Sequence, residues 1–140
     1  MEKRGKVEYR QLEPGYELPS ISYKLEPSMV ASYLAAVEEP NSIYWDNNLV
    51  PPMAIAAYAM TALSDSVELP PGVIHTHGEV KFLRAVNIGE TIGCHSCVSQ
   101  KLDRGQLHLL TIDSSVFNQN EEKVLTGKTS FILPGLNNQV

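Results

Sequence analysis

The chain has few basic residues, few cysteines and no long apolar run. Eleven Lys and Arg stand against 16 Asp and Glu, for a net charge of −5, and no group of cations is dense enough to neutralise a nucleic-acid backbone. No apolar stretch approaches the ~20 residues that span a bilayer. The first six residues lack the apolar core of a secretory signal. We therefore expect a cytoplasmic protein that binds neither nucleic acid nor membrane.

The two cysteines, Cys94 and Cys97, have the Cys-x-x-Cys spacing found in zinc and redox sites. A zinc site would need two further ligands, with His95 and His108 converging on the pair. On a β-strand, however, residues three apart point to opposite faces. We therefore expect two reduced strand cysteines, with no metal and no redox cofactor.

The first half of the sequence predicts one strand and two helices. Apolar residues fall two apart from Ile21 onward, which indicates a strand. Helical spacing begins at Pro27 and is ended by Pro40, because the residue before a proline is pushed out of the α region. The run Met53 to Leu63 is rich in alanine and apolar on almost every side. It predicts a helix that is buried all round.

The second half predicts four long strands separated by short polar turns. Their predicted bounds are Val73 to Val86, Thr91 to Leu102, Gln106 to Phe117, and Lys123 to Leu133. We expect these strands to form an antiparallel meander. The predicted fold is of the α+β class: a single hotdog domain over residues 1–140, in which a long, curved antiparallel sheet wraps around the central buried helix.

Three stretches of the chain resemble the MaoC-like hotdog family of R-specific enoyl-CoA hydratases and hydroxyacyl dehydratases. Residues 37–46, VEEPNSIYWD, resemble the hydratase motif G-D-x-N-P-L-H followed by a hydrophobic residue and D. Residues 49–53, LVPPM, resemble the family's entry into its central helix. Residues 74–90 are similar to the following strand, which ends in R-P-[VL]-x-x-G-[DE].

The resemblance implies a catalytic site in which both usual catalytic residues are altered. In the family, the Asp and His of the motif hold a water and move its proton. These positions are Glu39 and Tyr44 here, while the motif's proline is Ser42. Glu39 keeps a carboxylate on a longer side chain, whereas a tyrosine is a poor base at neutral pH. Asn41 and Asp46 are retained, and Asn41 is a candidate substrate-binding residue.

Five further residues complete the predicted site. The central helix would present a backbone N–H to a thioester carbonyl; Pro52 has none, so Met53 is the expected donor. His75 and His77 are two apart on a predicted strand, hence on one face. Either could supply the missing imidazole, with His75 as a third catalytic candidate and His77 as a binding residue. Trp45 is expected to cover an acyl pocket or to anchor an interface.

Three functions remain open from the sequence. The first is a cofactor-independent hydro-lyase that adds or removes water on an acyl-CoA or acyl-carrier thioester. The second is a non-catalytic, substrate-binding subunit of a heteromeric dehydratase. This alternative is favoured because neither the Asp nor the His of the motif is retained. The third is a hotdog thioesterase, ranked last because the central helix has no acidic residue before Asp65. Each implies a dimer with a second copy or with another hotdog chain, because a long edge strand favours pairing.

Overall fold

The computed structural model describes residues 6–134, which form three α-helices and seven β-strands in an α+β arrangement. The strands are β1 (Val7–Glu8), β2 (Ile21–Lys24), β3 (Val67–Glu68), β4 (Ile74–Phe82), β5 (Thr91–Arg104), β6 (Leu107–Asn118) and β7 (Lys123–Pro134). The helices are α1 (Pro27–Ala36), α2 (Ile43–Asp46) and α3 (Pro52–Ser66), and a 3-10 turn spans Tyr9–Gln11. The predicted α+β class is confirmed. None of the helices within residues 6–134 is long and apolar enough to cross a membrane.

Helix α1 begins as predicted and ends earlier. Pro27 occupies its first turn, where the missing N–H and fixed φ are tolerated. The helix stops at Ala36 instead of continuing to Pro40, because Glu38 adopts a left-handed conformation with φ of 55°. This conformation reverses the chain direction just before the motif residues.

Helix α3 packs on the sheet with one face only. Ala54, Ile55 and Ala62 are buried, but 56% of Met53 and 36% of Met60 are exposed to solvent. The prediction that this helix is buried on all sides is therefore wrong for the single chain. Composition alone could not show which face the sheet covers, because the helix is apolar on both.

The main sheet has five antiparallel strands in the order β2-β5-β6-β7-β4. The predicted meander is wrong at one point: β4 does not pair with β5 but with β7 at the far edge of the sheet. The segment 83–90 is thus a crossover and not a hairpin turn. It is held by hydrogen bonds from Val50 N–H to Val86 O and from Gly89 N–H to Leu25 O.

The core lies between α3 and the inner face of the sheet. Cys94 is buried in this face opposite Val116, whereas Cys97 is half-buried opposite Asp113. The prediction that the two cysteines are unpaired and point to opposite faces of a strand is confirmed. A short parallel pair, β1 with β3, connects the N-terminal segment to the end of α3.

Candidate functional site

The loop between α1 and α3 is folded by its own polar groups. The backbone N–H of Asn41 donates to Oε1 of Glu39 over 2.9 Å, and Ile43 N–H donates to Oδ1 of Asn41 over 2.9 Å. The hydroxyl of Ser42 donates to Oδ2 of Asp46, also over 2.9 Å. Local side-chain-to-backbone bonds of this kind stabilise turns. The two retained motif residues, Asn41 and Asp46, therefore shape the loop that carries Glu39.

Four of the predicted site residues line one cavity at the start of α3. This cavity, of about 240 Å³, is termed here the motif pocket, and its lining includes Glu39, Tyr44, Pro52 and Met53. The first backbone N–H groups of a helix have no partner within that helix. Because Pro52 lacks an N–H, the first such donor of α3 is that of Met53.

A second cavity, of about 280 Å³, runs between α3 and β4 and is termed here the apolar groove. Its floor includes Met53, Ala56 and Met60 of α3, and its opposite wall includes His75 and Gly78 of β4. The absence of a side chain at Gly78 lets the imidazole of His75 lie close to the strand, because a Cβ there would be 3.4 Å from Nε2 of His75. The groove therefore suits an aliphatic chain better than a polar group.

Tyr33 connects the two cavities. Together with Met53 it lines both the motif pocket and the apolar groove. Tyr33 was not predicted as a site residue, because its helical spacing with Val30 and Leu34 is that of a core face. A partly polar side chain between two buried aliphatic ones was the available signal.

The two histidines of β4 do not share a face, so that prediction is wrong. Strand β4 contains a bulge at Thr76: His75 pairs with Phe131 and His77 pairs with the adjacent residue, Ser130. One extra residue in a strand reverses the alternation of side chains. His75 therefore faces the groove, with its ring 5.2 Å from that of Phe131.

His75 also has a defined tautomer when neutral. Its Nε2 lies 2.9 Å from the carbonyl oxygen of His77. A carbonyl oxygen can only accept, so Nε2 carries the hydrogen and Nδ1 keeps its lone pair. His77, on the outer face, has Nε2 3.5 Å from Oε1 of Glu79. It therefore lies outside both cavities.

Trp45 and Asn41 also lie outside the two cavities. Trp45 is 45% exposed on the short helix α2, and neither residue lines the motif pocket or the apolar groove. The structure thus gathers Glu39, Tyr44, Pro52 and Met53 in one pocket, places His75 in the adjoining groove, and leaves Asn41, Trp45 and His77 apart.

Tyr58 of α3 carries a buried hydroxyl and lies close to Tyr33 of the site. The oxygen of Tyr58 has no hydrogen-bond partner among residues 6–134, and its ring is 5.9 Å from that of Tyr23. Burial, and then the neighbouring Tyr33, raise the pKa of Tyr58 above its usual value. The hydroxyl therefore stays protonated at neutral pH.

The motif pocket combines three chemical groups whose chemistry suits a reaction at a polarised double bond. A carboxylate (Glu39) can accept a proton, a phenol (Tyr44) can donate a hydrogen bond, and a helix N-terminus can stabilise negative charge on a carbonyl oxygen. Glu39 is exposed and Tyr44 is half-buried, so water reaches the carboxylate. This set is suited to proton transfer beside an activated carbonyl.

Comparisons with known proteins agree with this geometry. Residues 13–127 match the family described as FAS1-like, dehydratase domain region. The R-hydratase PhaJ1 from Pseudomonas aeruginosa is similar in structure, with a TM-score of 0.79 and 19% identity over 92% of this chain and 86% of that one. The MaoC-like dehydratase from Rhodospirillum rubrum has a TM-score of 0.75 and 16% identity, covering 90% and 95% of the two chains.

A heteromeric complex is also similar in structure. The HadBC 3R-hydroxyacyl-ACP dehydratase complex from Mycobacterium tuberculosis has a TM-score of 0.67 and 13% identity, covering 85% of this chain and 96% of that one. No curated protein sequence matches this chain. The structural matches confirm the hotdog fold that the sequence predicted. The chain therefore belongs to the family described as FAS1-like, dehydratase domain region.

Proposed function

We propose that this protein binds an acyl thioester and adds water to its enoyl form or removes water from its 3-hydroxyacyl form. One observation carries the proposal: Glu39, Tyr44 and the first N–H-bearing residue of α3, Met53, line a single pocket. That pocket adjoins an apolar groove through Tyr33 and Met53. A thioester carbonyl at the start of α3 would leave its acyl chain directed along the groove.

Each step of the proposed hydration has a group to perform it. The Glu39 carboxylate takes a proton from water, and the water oxygen forms a bond to C3 of the enoyl group. Negative charge that develops on the thioester oxygen is stabilised by the Met53 N–H. C2 then receives a proton from Tyr44, or from His75 in its protonated form, and the donor regains a proton from Glu39 through solvent, which restores both groups. Dehydration is the same sequence in reverse.

The groove favours a substrate with an aliphatic acyl chain. Alanine and methionine side chains of α3 form its floor, and Leu125 and Val80 of the sheet contribute to its walls. The substrate class is therefore an acyl thioester with an aliphatic acyl chain.

A second candidate function is a non-catalytic subunit that binds substrate for a partner hotdog chain. Glu39 is exposed and one of its oxygens already accepts the Asn41 N–H. The nearest imidazole found in either cavity, His75, lies in the groove and not in the motif pocket. A partner chain with an intact Asp and His would then perform the chemistry, in an assembly of the kind that the HadBC complex represents.

An assay of the purified chain distinguishes these functions. Enoyl-CoA substrates of increasing chain length are supplied, and loss of the conjugated thioester and release of free thiol are followed in parallel. Loss of the conjugated thioester without thiol release supports the hydratase. Free thiol release would indicate a thioesterase. No turnover alone, but turnover when a catalytic hotdog partner is added, would support the non-catalytic subunit and contradict the first proposal.

A further inference from the structure

Two hydroxyl side chains lie on the sheet wall of the apolar groove. Ser114 of β6 and Thr129 of β7 both line this cavity, together with Ala56 and Ala59 of α3. They share one face of the sheet, because Ser114 is two residues from Ile112, which pairs directly with Thr129. Ile112 is fully buried in the core, so both hydroxyls are on the side of the sheet that α3 covers.

The hydroxyl of Thr129 has only a weak hydrogen-bond acceptor. Thr129 is 8% exposed, and its hydroxyl donates to Sδ of Met60 over 3.8 Å. A thioether sulfur accepts hydrogen bonds weakly, and no oxygen or nitrogen atom of residues 6–134 accepts this hydrogen. A buried hydroxyl without a good partner destabilises a fold, whereas a valine of the same shape would not. The hydroxyl of Thr129 is therefore free to donate to a ligand.

The hydroxyl of Ser114 also has unused hydrogen-bonding capacity. Its oxygen lies 3.1 Å from Oγ of Ser96 on β5, and either group can be the donor. Only one hydrogen lies between the two oxygens, so the second hydrogen of the pair has no acceptor in the described part of the chain. When Ser96 donates, the hydrogen of Ser114 can point into the groove, which Ser114 lines and Ser96 does not.

A glycine keeps the two hydroxyls accessible from the groove. Gly127 is directly opposite Ser114 and two residues from Thr129 on the same strand. Ser114 and Thr129 are diagonal neighbours on adjacent strands, which places their Cβ atoms less than about 8 Å apart. Because Gly127 has no side chain, a single ligand oxygen above it can contact both hydroxyls.

These hydroxyls lie away from the end of the groove that adjoins the motif pocket. Met53, at that end, is seven residues before Met60, the contact of Thr129. Seven helical residues span about 10 Å, and an extended carbon chain with bonds of about 1.5 Å covers that length with roughly eight carbons. A thioester carbonyl held at Met53 therefore places the hydroxyls beside the distal part of the acyl chain.

We propose that the groove binds an otherwise aliphatic acyl chain that carries a hydroxyl or keto oxygen roughly eight carbons from the thioester. The inference rests on the proposed function, because the thioester at Met53 sets the count of carbons. Thr129 donates to the substrate oxygen in place of the sulfur of Met60. Ser114 donates a second hydrogen bond while it accepts one from Ser96. The remaining carbons of the chain contact the alanine side chains of α3.

Binding of matched saturated thioesters tests this specificity. Decanoyl-CoA is compared by calorimetric titration with the three decanoyl-CoA derivatives that carry a hydroxyl on carbon 6, carbon 8 or carbon 10. None of these ligands contains the enoyl group, so binding is measured separately from hydration. We expect the derivative hydroxylated on carbon 8 to bind roughly fivefold or more tightly than decanoyl-CoA, which is the gain from about one net hydrogen bond.

Substitution of the hydroxyl residues identifies the groups that recognise the oxygen. Thr129→Val should abolish or reverse the preference for the hydroxylated chain, Thr129→Ser should retain it, and Ser114→Ala should reduce it. Thr111→Val is the matched control, because Thr111 is buried on the same strand as Ser114 but bonds to Oγ of Ser130 over 2.9 Å, outside the groove. It should keep the wild-type preference. Circular dichroism checks that each variant is folded.

Several results would overturn the proposal. Wild-type protein that binds and hydrates unsubstituted chains, but binds hydroxylated ones no better, would leave the proposed function intact and exclude this specificity. A preference that survives in the double variant Thr129→Val/Ser114→Ala would show that other groups recognise the oxygen. Strongest binding with the hydroxyl on carbon 6 or carbon 10 would contradict the assigned position. No binding of any thioester would contradict the proposed function, and this inference with it.

Discussion

The hydroxyl of Tyr9 donates a hydrogen bond to Oδ1 of Asp103 over 2.8 Å, joining the N-terminal segment to the β5–β6 hairpin. Nδ1 of His108 lies 2.5 Å from the same oxygen. His108 is buried, and its ring packs edge-on against that of Tyr9 at 5.4 Å. One carboxylate oxygen thus holds two elements that are far apart in sequence.

This cluster predicts an acid-sensitive component of stability. The hydrogen bonds from His108 and then Tyr9 lower the pKa of Asp103 below its usual value near 4. A carboxyl group whose pKa is lower in the folded protein than in the unfolded chain stabilises the fold at pH values above its unfolded-state pKa. This contribution to stability is lost as the pH falls through the folded-state pKa. The free energy of unfolding in urea, measured from pH 6 down to pH 3, should fall less steeply in Asp103→Asn.

Tyr9→Phe provides the graded comparison for that measurement. It removes one of the two donors to Asp103 and keeps the other, so the loss of stability with acid should be intermediate between wild type and Asp103→Asn. An Asp103→Asn protein that loses stability as steeply as wild type would show that the cluster does not contribute.

Glu38 predicts a stabilising substitution. It is a non-glycine residue with φ of 55°, and at this position the MaoC-like motif has glycine. A side chain in the left-handed region costs roughly 1 kcal/mol relative to glycine. We expect Glu38→Gly to raise the free energy of unfolding by about that amount, measured by denaturant titration. Glu38→Ala removes the charge but keeps a Cβ, so it should not reproduce the gain in stability. An equal gain in Glu38→Ala would show that loss of the charge, and not relief of the backbone conformation, stabilises the protein.

The unpaired hydroxyl of Tyr58 leads to a second prediction about the free energy of unfolding. Its oxygen is buried and has no partner among residues 6–134, and leaving a buried polar group unpaired costs about 1–3 kcal/mol. Tyr58→Phe should therefore leave the free energy of unfolding unchanged or raise it by about 1 kcal/mol. Tyr9→Phe, which removes a made hydrogen bond, should lower it by about 1 kcal/mol at pH 7. A clear loss of stability in Tyr58→Phe would indicate that the hydroxyl is satisfied in solution.

The elements of the fold were predictable from the sequence, but their order was not. Alanine-rich and alternating patterns give helix α3 and the long strands within a few residues, because these signals are local. The partner of β4 is β7, some fifty residues later. Gly89 shows that the chain turns, but a turn alone does not show which strand lies beside the next one.

The part of the site whose residues are close together in the sequence could be predicted. Glu39, Tyr44 and Met53 lie within fifteen residues and meet at the start of α3. The histidines were misjudged because the bulge at Thr76 has no sequence signature that separates it from regular strand. The exposure of one face of α3 could not be predicted for a related reason. Apolar composition does not distinguish a helix face that the same chain covers from one that it leaves exposed to solvent.

The most direct test of the account is the hydration rate of Glu39→Gln with a short enoyl-CoA substrate. Removing a general base typically costs 10²–10⁴-fold in rate, so kcat should fall by roughly that factor in Glu39→Gln. It should recover in part in Glu39→Asp and remain unchanged in Glu38→Gln, the adjacent exposed carboxylate outside the motif pocket. A Glu39→Gln protein that hydrates the thioester at the wild-type rate would contradict the proposed site.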